Sequence, residues 1–357
     1  IDVGKRHLRE KYYDFGPTFA AKKLEEIDKI KIGKETIRSI MVEIGLWKVK
    51  SRKQSKKWHI WRARKDNEGE MQQFDGSYHI WFGNEESCLL LSVDDATGKI
   101  THAKFDYNES TMAVFGFWGE YFLKNGLPLS IYLDKFSTYK INHKNAVDNK
   151  DMITQFERAM NQVGVRPITA HSAEAKGRVE RMFETLQDRL VKELRLAGIT
   201  TIEEANEFLE KYIPKFNAKF AVIPNRRKNL HKKLNKNTEE NLSQILSIQN
   251  TRVVNNDYTI MFKNNYFQLN RKQPTTVYKK DKVIVEEHLN GEIKLRIRGS
   301  YLDYIVLPEK PKKEINIKLP ALTKQEQGSY KPPIDHAWRK QFLYGKIHNQ
   351  QKNINSK

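Results

Sequence analysis

Apolar residues recur at helical spacing within the first 47 residues of the chain. The apolar stripe there consists of Ile37, Ile40, Met41 and Ile44. Steps of three and four residues place side chains on one face of an α-helix. The pattern predicts a first helix capped by Thr18 and a second that opens near Lys34 and ends at Gly45. Two short helices joined by a turn are typical of a helix-turn-helix; a small helical domain that docks on protein is the alternative.

Residues 67–222 alternate between strand and helix patterns. Predicted strands cover residues 73–82, 87–94, 100–106 and 130–134, and predicted helices cover residues 110–125 and 152–163. A further helical stripe consists of Val179, Phe183, Leu186, Leu190 and Leu194. Three strands in sequence, then helix, strand and helix, indicate a mixed sheet covered by helices. This segment is therefore predicted to be a central α/β core.

The pattern changes after residue 200. A capping box of Thr200 or Thr201 with Glu203 or Glu204 predicts a helix through Tyr212. Five short strand patterns in residues 250–308 then predict a small β-barrel. Three basic segments separate or follow these units: a linker at 48–66, a connection at 223–249 and a tail at 309–357.

Charge indicates the kind of partner. Lys and Arg number 64 against 44 Asp and Glu, which gives a formal charge of +20 over 357 residues. A surplus of that size favours a nucleic acid over an acidic small molecule. The single cysteine, Cys88, excludes a disulfide framework and a cysteine zinc site, and it suits a reducing cytoplasm. We expect no membrane span and no signal peptide, and we expect the chain, which starts at Ile1, to be a fragment.

Three acidic residues are candidates for chemistry. Asp75 lies in a predicted strand, Asp134 ends another, and Glu180 lies beside the apolar stripe of a helix. Three carboxylates held by two strands and a helix can bind two Mg²⁺ ions, which would activate one oxygen and stabilise the leaving one. Asp94 and Asp95 are rivals, but their turn position favours local capping.

Four segments, taken in order, resemble a known family. They are QFDGSYHIWF, LLLSVDDATGKI, IYLDKFSTY and HSAEAKGRVERMFETLQDRLVKELRLAGI. They resemble transposases of bacterial insertion sequences whose core is like a retroviral integrase, over about residues 12–344 and most strongly over 74–197. The resemblance implies an RNase H-like fold for the core and assigns an Asp-Asp-Glu triad to Asp75, Asp134 and Glu180.

Basic and polar residues outside the triad are expected to contact DNA. The predicted second helix offers Lys34, Thr36, Arg38 and Ser39 to a groove. The linker, with nine Lys or Arg in residues 48–65, offers Lys53, Lys56, Lys57 and Arg62 to phosphates. Near the triad the candidates are Lys176, Arg178 and Arg181, and in the basic connection they are Arg226 and Arg227.

The expected function is that of a DNA transposase. It would bind the terminal inverted repeats of a mobile element, cleave at its ends and transfer the 3′ strand into target DNA, with two Mg²⁺ ions for which Mn²⁺ can substitute. A homodimer or larger complex on double-stranded DNA, in the bacterial cytoplasm at the nucleoid, is expected. The alternatives are a related nuclease that cuts without joining and a non-catalytic DNA-binding protein descended from a transposase.

Overall fold

The structure is a computed structural model that describes residues 2–48, 63–134, 149–170, 177–308, 333 and 335–336. The chain divides into two compact units, Ile1–Glu309 and Lys310–Lys357, and almost all described residues belong to the first. Several of the predicted DNA contacts lie outside the described residues: Lys53, Lys56, Lys57 and Arg62 of the linker and the loop residue Lys176. Nearly all of the basic tail also lies outside them.

Three helices open the chain: α1 (Asp2–Glu10), α2 (Pro17–Glu26) and α3 (Lys34–Glu43). Their shared core consists of Leu8, Tyr12, Phe15, Phe19, Ala20, Leu24, Ile37, Ile40 and Met41. The predicted stripe of α3 is therefore buried at Ile37, Ile40 and Met41, while Ile44, the residue after the helix, is partly buried. The expected Thr18 cap is wrong, because α2 begins at Pro17 after Gly16, with no side-chain cap. Proline suits that first position since its missing N–H would have no helical acceptor.

The central sheet has five strands: β1 (Gln72–His79), β2 (Ser87–Asp94), β3 (Ile100–Asp106), β4 (Ser130–Asp134) and β5 (Arg166–Ala170). Their order is β3-β2-β1-β4-β5. The first three strands pair antiparallel, while β4 is parallel to β1 and to β5. The predicted mixed sheet is confirmed, and its order agrees with the RNase H-like fold that the resemblance implies. The edge strand β5 was not predicted.

Helices cover both faces of this sheet. On one face, α4 (Thr111–Asn125) and α5 (Asn149–Val163) pack on Phe74, Cys88 and Leu90. On the other face, α6 (Gly177–Leu196) and α7 (Ile202–Phe220) pack on Leu89, Leu91 and Val93. Alternate residues of β2 thus enter opposite cores, which is why this strand is buried along its whole length. The Thr201–Glu204 capping box of α7 is confirmed, but the helix runs past Pro214 to Phe220 rather than ending at Tyr212.

Short helices α8 (Lys236–Glu240) and α9 (Leu242–Ile245) lead into seven strands. These strands are β6 (Ile248–Val253), β7 (Thr259–Phe262), β8 (Asn265–Leu269), β9 (Lys282–Glu287), β10 (Ile293–Ile297), β11 (Ser300–Tyr301) and β12 (Tyr304–Leu307). They form a four-stranded sheet, β11-β10-β9-β6, and a three-stranded sheet, β12-β8-β7. Both sheets bury apolar residues in one core. The predicted small β-barrel is not confirmed, because among the described residues no strand ladder joins the two sheets into a closed barrel.

The C-terminal sheets are tied to the central core through α5. Arg158 donates from Nη1 to Ile245 O at 3.1 Å and from Nη2 to Ser247 O at 2.6 Å. Gln155 exchanges two hydrogen bonds with the backbone of Gln249 at the start of β6. These bonds satisfy backbone groups at the end of α9 and on β6 that would otherwise need solvent.

The free edge of β3 is covered by two amide side chains of α7. Asn206 accepts a hydrogen bond from Phe105 N and donates one to Phe105 O, while Asn217 does the same with Ile100. The two asparagines lie three helical turns apart, about 16 Å along the axis, which matches about 16 Å between their partners along an antiparallel edge. The amides thus occupy edge groups that another strand would pair with.

We predict that Asn206→Leu lowers the free energy of unfolding by about 1–3 kcal/mol, because it leaves the N–H and C=O of Phe105 without their partner. Urea unfolding measures this change. The exposed neighbour Glu207 is the control, and Glu207→Gln should stay within about 0.5 kcal/mol of the parent. Equal stabilities for the two variants would show that the edge bonds contribute nothing.

Candidate active site

Asp75 and Asp134 occupy neighbouring positions on adjacent strands. In the parallel β1–β4 ladder, Gln72 pairs with Ile131 and Gln73 pairs with Tyr132. Continuing this register by two residues places Asp75 opposite Asp134, the last residue of β4. Adjacent strands lie about 4.8 Å apart. The observed strand pairs end two residues before Asp75 and Asp134, so their proximity is what this register predicts; the Asp134 side chain lies outside the described residues.

Asp75 lies on the face of the sheet that α6 covers. It pairs with Leu91 in the β1–β2 ladder, and Leu91 belongs to the core beneath α6 and α7. Residues directly opposite each other in an antiparallel pair point to the same face. Asp75 is half-buried, as expected for a side chain at the margin of that core.

The first turn of α6 is held over this face by hydrogen bonds. Val179 N donates to Oε1 of Gln73 at 3.2 Å. Nε2 of Gln73 donates to Oδ1 of Asp95 at 2.6 Å, and Nη1 of Arg178 reaches the same oxygen at 2.6 Å. Gln73 precedes Asp75 by two residues on β1, so both belong to one face. Glu180, the third expected residue, follows Val179 within this first turn and is exposed.

Asp95 is the centre of that anchor. Its side chain is fully buried and also accepts a hydrogen bond from Lys65 N at 2.8 Å. Arg178, which was expected to lie near phosphates, is only 15% exposed in its side chain and forms an ion pair with Asp95. A buried carboxylate is tolerated because such partners compensate for its lost hydration.

Asp94 is the second rival carboxylate, and the structure confirms that it caps the turn. Oδ1 accepts from Thr97 N at 2.8 Å and from its hydroxyl at 2.7 Å. Oδ2 accepts from Gly69 N at 2.9 Å and from Gln72 Nε2 at 3.0 Å. Both oxygens are therefore used within the fold.

A further carboxylate, Glu109, lies beside Gly76 and near Cys88, on the side of the sheet that α4 covers, and was missed by sequence reasoning. A Cβ atom at Gly76 would overlap the Glu109 carboxylate, so glycine at this position leaves room for it. Glu109 N donates to the Tyr78 hydroxyl at 2.9 Å. Burial, together with the negative charges of Glu109, Asp106 and Asp75, raises the pKa of the Cys88 thiol well above its ordinary value. Negative charge thus accumulates at this part of the sheet, and Cys88 stays a neutral thiol.

The donor set suits a hard divalent cation. Carboxylate oxygens are the ligands that Mg²⁺ and Mn²⁺ prefer, and all three expected ligands, Asp75, Asp134 and Glu180, are carboxylates. Within the part of the chain that the structure describes, no three His, Cys, Asp or Glu side chains are grouped to hold a metal ion. The expected ligand set includes the Asp134 side chain, which lies outside that part.

The remaining expected DNA contacts lie on separate surfaces. Lys34, Thr36 and Ser39 are exposed on α3, while Nη1 of Arg38 forms an ion pair with Glu35 at 2.6 Å. Arg181 is exposed on α6 and donates from Nε to Gly177 O. The α3 residues belong to the N-terminal helical unit and not to the sheet that carries Asp75.

Arg226 and Arg227 lie on a basic strap, defined here as residues 225–232, which crosses the amino-terminal side of β1 and β4. Arg226 N donates to Asp66 O at 2.9 Å and Leu230 N donates to Glu68 O at 2.8 Å. Lys232 and Leu127 exchange backbone hydrogen bonds at 2.7 and 2.8 Å. Both arginines are exposed, and they lie toward the opposite end of the strands from Asp134.

We predict that Arg178→Gln lowers the free energy of unfolding by about 3–5 kcal/mol, because it leaves the buried Asp95 carboxylate without its cation. Denaturant unfolding measures the loss. The matched control is Arg181→Gln on the exposed side of the same helix turn, expected within about 0.5 kcal/mol of the parent. An unchanged stability of Arg178→Gln with weakened DNA binding would instead make Arg178 a phosphate ligand.

No protein-family model matches the chain. A Sinorhizobium fredii protein named "Putative transposase y4bF" is 38% identical over 307 residues, covering 85% of this chain and 66% of that protein. The transposase for insertion sequence IS1202 of Streptococcus pneumoniae is 35% identical over 298 residues, covering 81% of this chain and 63% of that protein. The chain thus spans slightly less than two thirds of the length of these relatives.

Solved structures give weaker similarity. The HTLV-2 integrase catalytic core domain, solved in complex with magnesium, matches 40% of this chain and 83% of its own at 16% identity, with a TM-score of 0.30. An intasome of simian T-cell lymphotropic virus, in complex with a PP2A regulatory subunit, matches 78% of this chain and 93% of its own chain at 14% identity, with a TM-score of 0.37. These scores are too low to support an inference about this chain.

None of the described helices is long and apolar enough to cross a membrane. The sequence relatives confirm the resemblance inferred from the motifs around Asp75, Asp134 and Glu180. Over most of its length, this chain is related in sequence to the transposases of bacterial insertion sequences.

Proposed function

We propose that this protein is a metal-dependent DNA transposase of the Asp-Asp-Glu type. It binds the terminal inverted repeats of a mobile element, cleaves at the ends and transfers the 3′ strand into target DNA. The observation that carries the proposal is the parallel pairing of β1 with β4, which ends two residues before Asp75 and Asp134, together with the hydrogen bond that holds Val179, next to Glu180, to Gln73 on β1. Similarity to two transposases and the charge of +20 support it.

The carboxylates have complementary roles in this proposal. Asp75 and Asp134, fixed by strands, and Glu180, offered from the anchored helix, are the ligands of a pair of Mg²⁺ ions, with Mn²⁺ able to substitute. When bound, the two ions would supply activation of the attacking oxygen and stabilisation of the leaving oxygen. The protein itself orients the ligands and holds the DNA. No covalent intermediate between a protein side chain and the DNA is needed.

The proposed DNA contacts extend away from the carboxylates. The exposed face of α3 reads the terminal repeat as the second helix of a helix-turn-helix, and the basic linker follows the phosphates. Arg181 and Lys176 act near the cleavage site, and Arg226 and Arg227 contact a more distant part of the duplex. Location at the bacterial nucleoid follows from this proposal.

Two other functions are alternatives to a transposase. A related nuclease would cut but not join, and a DNA-binding descendant of a transposase would do neither. The retained carboxylates at positions 75, 134 and 180 favour an enzyme over the non-catalytic protein.

We predict that Glu180→Gln and Asp134→Asn each reduce cleavage of a labelled element end by orders of magnitude in Mg²⁺, because the charge that holds the metal is lost while side-chain size is kept. Binding to the same DNA should persist, because the proposed reader is the N-terminal helical unit. Gel-based cleavage and a binding assay on one substrate measure both quantities.

The controls for that experiment are Glu184→Gln, one turn further along α6, and Glu174→Gln in the preceding loop. Both should retain much of the cleavage activity. Full cleavage by Glu180→Gln with loss in Glu184→Gln would move the third carboxylate one turn along the helix. Metal-independent binding with no cleavage by the parent protein would indicate the non-catalytic alternative.

We predict further that Arg38→Ala weakens binding to the terminal repeat more than binding to random DNA, if Arg38 reads a base edge. Competition binding measures the ratio of the two affinities. A protein lacking residues 1–65 that keeps its affinity for the terminal repeat would refute a reader in this segment.

Because both element ends must be held together, the proposed complex is a dimer or larger. If one subunit cuts the end that another subunit holds, an Arg38 variant mixed with a Glu180 variant should recover activity. No recovery at any mixing ratio counts against cutting in trans.

A further inference from the structure

Basic side chains crowd together where the N-terminal helices meet α6 and α7. The guanidinium of Arg189 on α6 lies 4.8 Å from the ring centroid of Phe19 on α2 and 5.2 Å from that of Phe220 on α7. Nζ of Lys219 lies 5.4 Å from the same Phe220 centroid. Arg189 of α6 and Lys219 of α7 therefore both lie over the ring of Phe220. Cation–π contacts of this kind hold the charges in place but do not neutralise them.

A third cation, Lys22 of α2, joins this group. Its Nζ lies 3.1 Å from Oε1 of Glu26, and its side chain is 40% exposed. Burial, and then the positive charges of Lys22 and Arg189, lower the pKa of Lys219, while Glu26 acts in the opposite direction. Besides burial, like charges from two other elements thus lie close enough to lower the pKa of Lys219.

The neighbouring ion pairs do not balance this charge. Glu26 serves both Lys22 and Lys23, and Lys23 also lies 2.6 Å from Glu193. Four cations, Lys22, Lys23, Arg189 and Lys219, thus face the two carboxylates of these pairs. A lysine whose pKa is lower in the folded state than in the unfolded state binds its proton less tightly when folded, so its charge opposes folding at neutral pH. Retaining such a cluster costs stability and is typical of a functional site.

We propose that Lys22, Arg189 and Lys219 form a binding site for backbone phosphates of duplex DNA, separate from the carboxylates. A phosphate placed among the three would replace repulsion by charge-assisted hydrogen bonds, with the planar Arg189 fork as the oriented donor. The choice of DNA as the phosphate source rests on the proposed function.

The position of the site on α6 indicates which phosphate of the DNA it would bind. Successive residues of an α-helix advance by about 100°, so Glu180 and Arg189 lie on opposite flanks of α6. The bound phosphate is therefore not the one being cut but belongs to a duplex segment that passes the N-terminal helices. Because α2, α6 and α7 each contribute one cation, DNA bound here would favour the docked arrangement of those helices.

The test is the double variant Lys22→Gln/Lys219→Gln with a random-sequence 30-base-pair duplex, about three turns of B-DNA. The slope of log affinity against log salt should become shallower by about 2, since each lost phosphate contact contributes about 0.9. The thermal midpoint of the free protein should rise, because repulsion is removed. A purely structural role for these lysines predicts a lower midpoint.

Two controls separate this site from general charge effects. Lys124→Gln/Lys211→Gln removes two exposed lysines elsewhere and should change neither the slope nor the midpoint. Lys23→Gln removes the lysine paired with Glu26 and Glu193, and it should lower the midpoint while leaving the slope unchanged. An unchanged slope in the Lys22/Lys219 double variant, or a fall in its midpoint, overturns the proposal. Random-sequence binding is independent of cleavage, so failure here is distinguishable from failure of the proposed catalysis.

Discussion

The buried carboxylate of Asp95 is the interaction on which the candidate site depends. It joins the β2–β3 turn to Gln73 on β1 and to Arg178 at the start of α6. Gln73 in turn fixes Val179 N, so one side chain connects a sheet strand to the first turn of a helix. Without this link, burial of the apolar stripe alone would hold α6 against the sheet but would not fix its first turn beside Asp75 and Asp134.

The same helix connects the candidate site to the N-terminal helices. Its last turns carry Glu193, paired with Lys23, and Arg195, which lies 2.6 Å from Asp14. Arg189 packs over Phe19 on the same side. A helix that is anchored to the sheet at its first turn and to the N-terminal unit at its last turns fixes the spacing between the proposed chemistry and the proposed DNA reader. The charged residues along α6 thus divide between the proposed metal ligand Glu180, structural ion pairs and contacts with the N-terminal helices.

Periodicity predicted the elements that bury one clear face, such as β2 with Leu89 and Leu91 or α3 with Ile37. It missed β5, a short edge strand containing Pro167, and it ended α7 at Tyr212, although the helix continues past Pro214 to Phe220. The triad positions rested on motif resemblance and stay a prediction. Two features were beyond sequence reasoning because they depend on contacts between distant segments: the ion pair of Arg178 with Asp95, and Glu109 beside Gly76. A polar residue inside a buried strand, as at Gln73, was the only local signal of the anchor.

Strand joining tests the proposed activity most directly, because it separates a transposase from a nuclease that shares the same carboxylates. A pre-cut, labelled element end is incubated with the protein, Mg²⁺ and an unlabelled second duplex, and covalent transfer of the label is measured. The account predicts that the 3′ end becomes joined to the second duplex, and that Glu180→Gln abolishes the product while still binding the end. An end that is bound, and cut when intact, but never joined would contradict it.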